Sequence, residues 1–319
     1  MSCSFGTQLC ETIKFNKMRA LNKHFSLSGN TGLVQFETLE DEGFGFKPAG
    51  PAINSGGLVI RESAQEGVVG KLLAINNTAD FLLLTDMDIL KGSKQNRVVN
   101  TSVLIAPESK TIIDVSCVER LRWDYTSPSF KISNHMMDHN MRSAKAASLS
   151  NESKGLFRMG STQSCMWSMI SDQVSAGKTH NPTEDYDKEL HERLKTTISQ
   201  PMIDAIPACN AIMIFVNNKI LSVDLFGNRE AYRYYFPGLR DSACRNISGE
   251  KSDRPLTEAE AFYRLDDYLD ELVANLEPFT VLNGVGKLRR DRRKGFPGFE
   301  LSFQDRPVHL ASFSISRKE

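Results

Sequence analysis

Long apolar runs, an excess of charge of either sign and closely paired cysteines are all missing from this 319-residue sequence. No run approaches the roughly 20 apolar residues that a membrane-spanning helix needs, so no membrane is expected as a partner. Lys+Arg and Asp+Glu both number 39, so no global field steers the chain toward nucleic acid or an anionic lipid surface. The cysteines, Cys3, Cys10, Cys117, Cys165, Cys209 and Cys244, are scattered without a C-x-x-C pair, and the opening MSCSFGTQLCETIKFNK has no sustained apolar core. Reduced thiols in a cytoplasmic protein are therefore expected. A Walker loop, a nucleophile elbow and an H-E-x-x-H pair are also absent, so no reaction and no cofactor follow from a motif. Gly43-Phe44-Gly45-Phe46 is not a phosphate loop, because no Gly-Lys-Ser/Thr follows it. No repeat of about 20 to 50 residues is visible, which argues against a solenoid.

What remains is ordinary globular material, 40% hydrophobic and 24% charged, long enough for two ordinary domains or one large one. From residue 57 to 123 the chain is β-rich. GLVIRES, KLLAINN, DFLLLTD, NTSVLIA and TIIDVSCV are short runs separated by turn residues, a spacing that suggests a sandwich or barrel. Residues 126–165 lose apolar periodicity and predict a flexible connector, with some helix around Met137 to Ala147. Helical spacing begins at MWSMISDQVSAG and continues through DYDKELHERLKTTI, where Asn181-Pro182-Thr183 followed by acids marks a helix start. AIMIFVNNKILSVDLFG predicts a hairpin turning at Asn217-Asn218. Helices are predicted from Arg229 to Arg245 and, behind a Thr257-x-x-Glu260 capping box, from Thr257 to Leu276. Strands close the chain, with a last turn across Gln304 to Arg306. The expected fold class is α+β: a β-sandwich-like N-terminal domain over 1–125, the connector, and an α+β domain over 166–319 with helices on an antiparallel sheet.

The chemistry concentrates between Gly92 and Trp123. Val103 to Ile105 and Thr111 to Val115 flank a turn and predict a hairpin. Its open end would join Gln95, Asn96, Arg97 and Asn100 to Cys117, Glu119, Arg120 and Trp123. Amides and guanidinium groups at such an edge suit phosphates and base edges, and Trp123 suits stacking on a ring. The bland alternative has the amides satisfying strand ends and Arg97 paired with Glu119. Cys117 reads as a nucleophile only with a base beside it; its Val115 and Val118 neighbours favour a buried small hydrophobe. His135 and His139 share a helical face, but no third ligand is near and a metal site is not expected. Of the acid pairs Asp185 with Asp187, Asp266 with Asp267 and Asp270 with Glu271, most read as solvated helix faces; Asp185 alone is kept as a candidate, near a helix N-terminus beside Thr183 and Tyr186. Asp224, at a strand-to-helix turn, is a second candidate for ligand binding. The basic run Lys287, Arg289, Arg290, Arg292, Arg293 and Lys294 admits phosphate binding, RNA binding or a charged strand edge.

The segment KQNRVVNTSVLIAPESKTIIDVSCVERLRW, with MWSMI, PTEDYD, VDLFGNREAY and VHLASF further on, resembles the ARG- and rhodanese-phosphatase-superfamily-associated protein family, where ARG denotes ADP-ribosylglycohydrolase. In that family a Gly-Arg pair precedes the tryptophan; Leu121-Arg122 stands there in this chain. The resemblance implies a setting in ADP-ribose, NAD or nucleotide metabolism, with antiviral defence included, and no mechanism. The expected role is that of a ligand-responsive sensor or scaffold with a protein partner. The alternative is an enzyme acting on an ADP-ribose-type or nucleotide substrate at the polar edge.

Overall fold

The computed structural model describes residues 18–38, 44–64, 68–151, 159–176, 180–196, 203–245, 254–279 and 284–315. Cys3, Cys10 and residues 152–158 of the expected connector lie outside them. The chain opens with a hairpin, β1 (Leu21–Ser28) and β2 (Thr31–Glu37), then β3 (Lys47–Pro48), the short helix α1 (Ala49–Ser55) and strands β4 (Leu58–Glu62), β5 (Lys71–Asn76) and β6 (Leu82–Leu84). It continues through β7 (Asp88–Gly92), β8 (Arg97–Val99), β9 (Val103–Ile105), β10 (Ser109–Cys117) and β11 (Phe130–Met136). Helices α2 (His139–Asn151), α3 (Met159–Ala176) and α4 (Tyr186–Thr196) follow. The hairpin β12 (Ala211–Val216) and β13 (Lys219–Phe226), helices α5 (Arg229–Arg245) and α6 (Glu258–Ala274), and strands β14 (Leu276–Phe279), β15 (Lys287–Asp291), β16 (Gly298–Phe303) and β17 (Arg306–Phe313) complete it.

Local chemistry accounts for the sharpest of these boundaries. Asn217 and Asn218 take φ of 50° and 60°, and Gln304 and Asp305 take 49° and 57°, the left-handed pairs that turn a two-residue hairpin with the strands' own twist. The Thr257 hydroxyl accepts from Glu260 N at 3.3 Å and caps α6 as its sequence predicts.

Three sheets stack. The largest runs β1-β2-β12-β13-β17-β16-β15-β14, all antiparallel. A second, β11-β7-β8-β10-β5-β4, curls until its edge strands β11 and β4 touch. Between them lies the three-stranded sheet β3-β6-β9, whose side chains alternate between two cores. Leu82, Leu84, Val103 and Ile105 face the interior of the curled sheet, with Leu58, Ile60, Leu72 and Val115. Leu83 and Leu104 face the other way, into the core under α5 and the large sheet. The far face of the large sheet packs on Ala261, Leu265, Leu269 and Leu272 of α6. Helices α2, α3 and α4 cover the outside of β7 and β8 through Met141, Met166, Ile170 and Leu190.

The α+β architecture is as expected, and β4 to β11 form the sandwich-like part. The sheets do not follow the boundary expected at residue 125. Strand β2 pairs with β12, so the first hairpin belongs to the large sheet. The stretch expected as a flexible connector contains β11 and α2, and α2 carries buried charge. Its polar composition reads as a surface loop only because those charges are satisfied by residues far away in sequence.

Arg142 of α2 is the centre of that charge. Its Nε and Nη2 donate to Asp86 at 2.9 and 3.1 Å, and its Nη2 and Nη1 donate to Asp224 of β13 at 2.6 and 3.3 Å. One guanidinium thus joins the β6–β7 turn, the large sheet and α2. Beside it, Lys145 Nζ donates to the carbonyls of Asp86 and Val99, both at 2.6 Å, and burial pulls its pKa down to about 7. Asp88 accepts from Thr85 N at 2.7 Å and from the Tyr235 hydroxyl of α5 at 2.9 Å, yet burial pushes its pKa up to about 6. His139 shows the opposite response, held near 3 by burial and by the neighbouring Arg142.

Two outcomes follow. Arg142→Ala leaves Asp86 and Asp224 buried and unpaired, and urea denaturation should show a loss of about 3–5 kcal/mol; a loss below about 1 kcal/mol would contradict the staple. For Asp88, the folded state binds its proton more tightly than the unfolded chain does, so its ionisation opposes folding above the folded pKa and that cost disappears as pH falls. Relative to Asp88→Asn, the wild type should therefore gain about 1–3 kcal/mol between about pH 7 and about pH 4.5. The comparison with the variant isolates Asp88 from His139, whose contribution runs the other way over the same range.

Candidate functional site

The polar ends of the central stretch do meet, though by a different pairing from the expected hairpin. Strand β9 turns away into the three-stranded sheet, and β10 pairs with β8, setting Cys117 opposite Arg97 and Val115 opposite Val99. Val118 N then donates to Asn96 O at 3.0 Å, which brings Glu119 beside Asn96. The start of α4 docks on the same segment: Tyr186 N donates to Val118 O at 2.9 Å, and Asp185 forms a β-bridge with Glu119.

Asn96 is the hub. Its backbone N donates to Glu119 Oε2 at 3.2 Å and its Nδ2 to Asp185 Oδ1 at 3.1 Å. Its Oδ1 accepts from Gly92 N at 2.9 Å and from Arg122 Nη2 at 3.3 Å. Arg122 Nη2 also donates to Glu119 Oε2 at 2.6 Å, and its Nη1 donates to Ser93 O at 2.7 Å and Asp124 O at 2.8 Å. Gly92 has φ 114°, and a Cβ there would meet Ser127 Oγ at 2.3 Å, so this turn accepts no side chain.

These groups line an open cleft of about 480 Å³ whose walls are Lys91, Gly92, Asn96, Glu119, Arg122, Thr126, Ser127, Lys131, Ile132, Ser133, Asn134 and Asp185. Lys91 and Lys131 stand directly opposite each other on β7 and β11. Two like charges at that spacing repel, an arrangement that an anion between them relieves. Lys91 is partly balanced by Asp187, whose Oδ2 lies 2.5 Å away. Burial raises the Asp185 carboxyl, and Glu119 beside it adds to the effect. Burial would raise Asp187 too, but hydrogen bonds from His135, Lys91 and Ser133 outweigh it and bring the group down to about 2. Two carboxyl groups two residues apart are thus driven in opposite directions.

Of the residues singled out in the sequence, Asn96, Glu119 and Asp185 line the cleft. Gln95 is buried behind it, accepting from Arg97 Nη1 at 2.9 Å. Arg97 does not pair with Glu119, which is taken by Arg122. It lies inside the end of the curled sheet, 0% exposed, with Nη2 3.9 Å from Glu62 Oε1 and Trp123 packed over its guanidinium. Trp123 is 42% exposed and, with Tyr125, flanks the Lys94 ammonium. Arg120 points to Ser171 and Glu184 on the α3–α4 side. Asn100 is internal, accepting from the Ser116 hydroxyl at 2.7 Å. Asp224 belongs to the Arg142 network and is fully buried, away from the cleft. Cys117 is buried and its thiol is pushed up by burial, against a smaller opposing effect of Arg97. Cys117, Cys165 and Cys209 are free thiols.

The basic run is largely neutralised at home. Lys287 pairs with Asp305, Arg289 with Glu300, Arg290 and Arg292 with Glu277, and Arg293 with Asp291 and Glu271. The acids come from the neighbouring strands, from α6, from the β16–β17 turn and from β15 itself, and Lys287 and Lys294 remain at the exposed surface. Sequence reasoning missed Lys91, Lys131 and Ser133. Their only signal is the β7–β11 register, which pairs residues 40 apart and shifts between Ile132 and Met136.

A family model described as the ARG and Rhodanese-Phosphatase-superfamily-associated Protein domain matches residues 27–313. No curated protein and no solved structure matches the chain. No helix among the described residues is long and apolar enough to cross a membrane.

The placement of Arg97 gives a test. Neither oxygen of Glu62 and neither Nε nor Nη2 of Arg97 has a hydrogen-bond partner among the described residues, so the two charges depend on each other. Arg97→Ala should cost roughly 3–5 kcal/mol in urea denaturation by stranding Glu62. The double change Glu62→Gln with Arg97→Met removes both charges and should be more stable than the single variant. A double variant no better than Arg97→Ala alone would show that the pair is not the reason Arg97 matters.

Proposed function

The chain belongs to this family, ARPP-1, and from that premise we propose that the cleft binds an ADP-ribose-type ligand and that the protein is a ligand-responsive sensor or scaffold. The family's name ties it to proteins associated with ADP-ribosylglycohydrolases. The pathway is accordingly one of ADP-ribose, NAD or nucleotide chemistry, antiviral defence included, with a protein partner to receive the signal. The observation that carries the reading is the facing of Lys91 and Lys131 across one wall of a cleft whose other wall holds Asn96, Glu119 and Asp185. Phosphates suit the ammonium groups, and ribose hydroxyls suit the carboxylates and the amide. The cleft's volume of about 480 Å³ falls in the range of small-molecule sites. Trp123 and Tyr125, in the loop between Arg122 and Thr126 of the cleft wall, offer exposed rings for a base.

A second reading, catalysis at the same cleft, rests on the opposed carboxyl groups. Burial raises the Asp185 carboxyl while hydrogen bonds bring its neighbour Asp187 down to about 2, the contrast that an acid–base pair requires.

Thermal shift with ADP-ribose, NAD and nucleotides distinguishes these readings from none. A ligand at about 100 times its Kd stabilises the folded state by about 2.7 kcal/mol. Lys131→Ala should weaken that response about tenfold, the loss of one charge-assisted contact, while leaving the free protein's melting temperature unchanged. Asp185→Asn should retain binding, and any product released by the wild type should vanish with it. No response to any of these compounds would end the proposal, and a response without product would leave the sensor reading alone.

A further inference from the structure

Beyond the cleft, on the far side of Asp187, two imidazoles meet. His135 of β11 places Nε2 3.4 Å from Nδ1 of His191 on α4, with ring centroids 5.2 Å apart. The other nitrogen of His135, Nδ1, lies 3.1 Å from Asp187 Oδ1. A carboxylate accepts only, so that contact places the ring proton on Nδ1 and leaves the Nε2 lone pair to accept from His191 Nδ1; an ion taking both nitrogens replaces that hydrogen bond, with the His191 proton on its own Nε2 instead. Asp187 is itself fixed: Lys91 Nζ holds its Oδ2, the Ser133 hydroxyl donates to its Oδ1, and Asp185 Oδ1 accepts from its backbone N at 3.0 Å.

We infer that His135 Nε2 and His191 Nδ1 are a binding site for a divalent transition metal, with zinc as the reference ion. Two nitrogens bound to one zinc at tetrahedral angles lie about 3.3–3.4 Å apart, the separation the two rings already have. The carboxylate behind His135 is the outer-shell partner that metal-ligating histidines use to set tautomer and ring orientation. Sequence reasoning looked for the partner of His135 four residues along, at His139. That ring is buried beside Arg142 and packs on Phe313, while α4 brings His191 from 56 residues away.

The chemistry selects the ion class. The negative charge of Asp187 is offset by Lys91, so a hard cation such as magnesium finds no carboxylate field here, whereas imidazole nitrogen suits zinc, nickel or copper. No group of three His, Cys, Asp or Glu residues suited to a metal occurs among the described residues, so the remaining coordination positions fall to water or to a small ligand. Because His191 is on the surface, the ion enters without any rearrangement of the core. Neither histidine lines the cleft; the two places touch only through Asp187, which Lys91 and Ser133 of the cleft wall hold.

Calorimetric titration of the full chain with zinc chloride, in buffer with a non-thiol reductant, tests this. One zinc should bind per chain with no comparable heat from magnesium. His135→Gln and His191→Gln should each lower the affinity at least about tenfold, and Asp187→Asn by about 10–100-fold through the lost outer-shell contact. His191→Gln lies at the surface and should keep the wild-type melting temperature, which separates loss of a ligand from loss of the fold. A second readout is the ring-proton NMR signals of His135 and His191, which should move together on adding zinc. Zinc binding that survives both histidine changes would place the metal elsewhere, for example on the thiols, and would overturn the inference, as would the absence of binding to the wild type.

Discussion

The guanidinium of Arg142 accepts no hydrogen bonds and has five to give, and in this fold it makes four to two carboxylates, Asp86 in the β6–β7 turn and Asp224 on β13 of the large sheet. Burying that charge is costly, and the cost is recovered only when Asp86 and Asp224 are both in place. The position of α2 is thereby fixed relative to the β6–β7 turn and β13 at once. From α2 the constraint passes outward. Asp138, just before α2, accepts from the Tyr186 hydroxyl at 2.9 Å, and the same hydroxyl accepts from Asp138 N at 3.1 Å. Tyr186 begins α4, so the buried staple also sets where Asp185 and Asp187 stand. The acidic wall of the cleft is thus held from the centre of the molecule.

The cleft is organised on a different principle. Its acids are buried and one of its cations reaches outward: Glu119 and Asp187 are almost inaccessible, Arg122 is largely covered where it holds Glu119, and Lys91, which holds Asp187, is nearly half exposed. The amide of Asn96 links the two walls, donating to Asp185 and accepting from Arg122. Because the acids are buried, removing either cation would leave a carboxylate without its ionic partner, so these pairs also hold the cleft wall together. Lys131 differs from them: it faces Lys91 across an antiparallel pair, with Lys91 held by Asp187 and Lys131 itself at the exposed surface.

Much of the fold was legible because it rests on local rules. Asn217-Asn218 turns a hairpin since asparagine tolerates positive φ, and Thr257 caps α6 since a hydroxyl reaches a free amide three residues on. The β-rich character of residues 57–123 followed from alternation. Pairing was not legible. Val103 to Ile105 and Thr111 to Val115 look like partners because five residues separate them, yet the first strand has apolar side chains on both faces and is drawn between two cores. The polar cluster was recognised as a cluster, and Asn96, Glu119 and Asp185 fall on one cleft. Arg97 and Asp224 could not be assigned in advance, because a charged residue that ends a strand reads the same whether it faces a ligand or a buried counter-ion; Glu62 and Arg142, which decide the matter, are remote in sequence.

The match over residues 27–313 takes in β2 as well as β17, and the structure explains why a shorter unit would not hold together. The turn into the curled sheet carries Asp86 and its strand β7 begins with Asp88, and their partners Arg142 and Tyr235 lie on helices after it. The large sheet carries Asp224 and His309, and His309 Nδ1 lies 2.7 Å from the hydroxyl of Ser102, just before β9. Leu83 and Leu104 of the middle sheet bury themselves only when the large sheet and α5 are present. Cut between the sheets, each half would expose an apolar face and at least one uncompensated buried charge, penalties that together exceed the margin by which most domains stay folded. The cleft draws its walls from residues 91 to 134 and from Asp185, so its acidic side is tied through Tyr186 and Asp138 to the same joint.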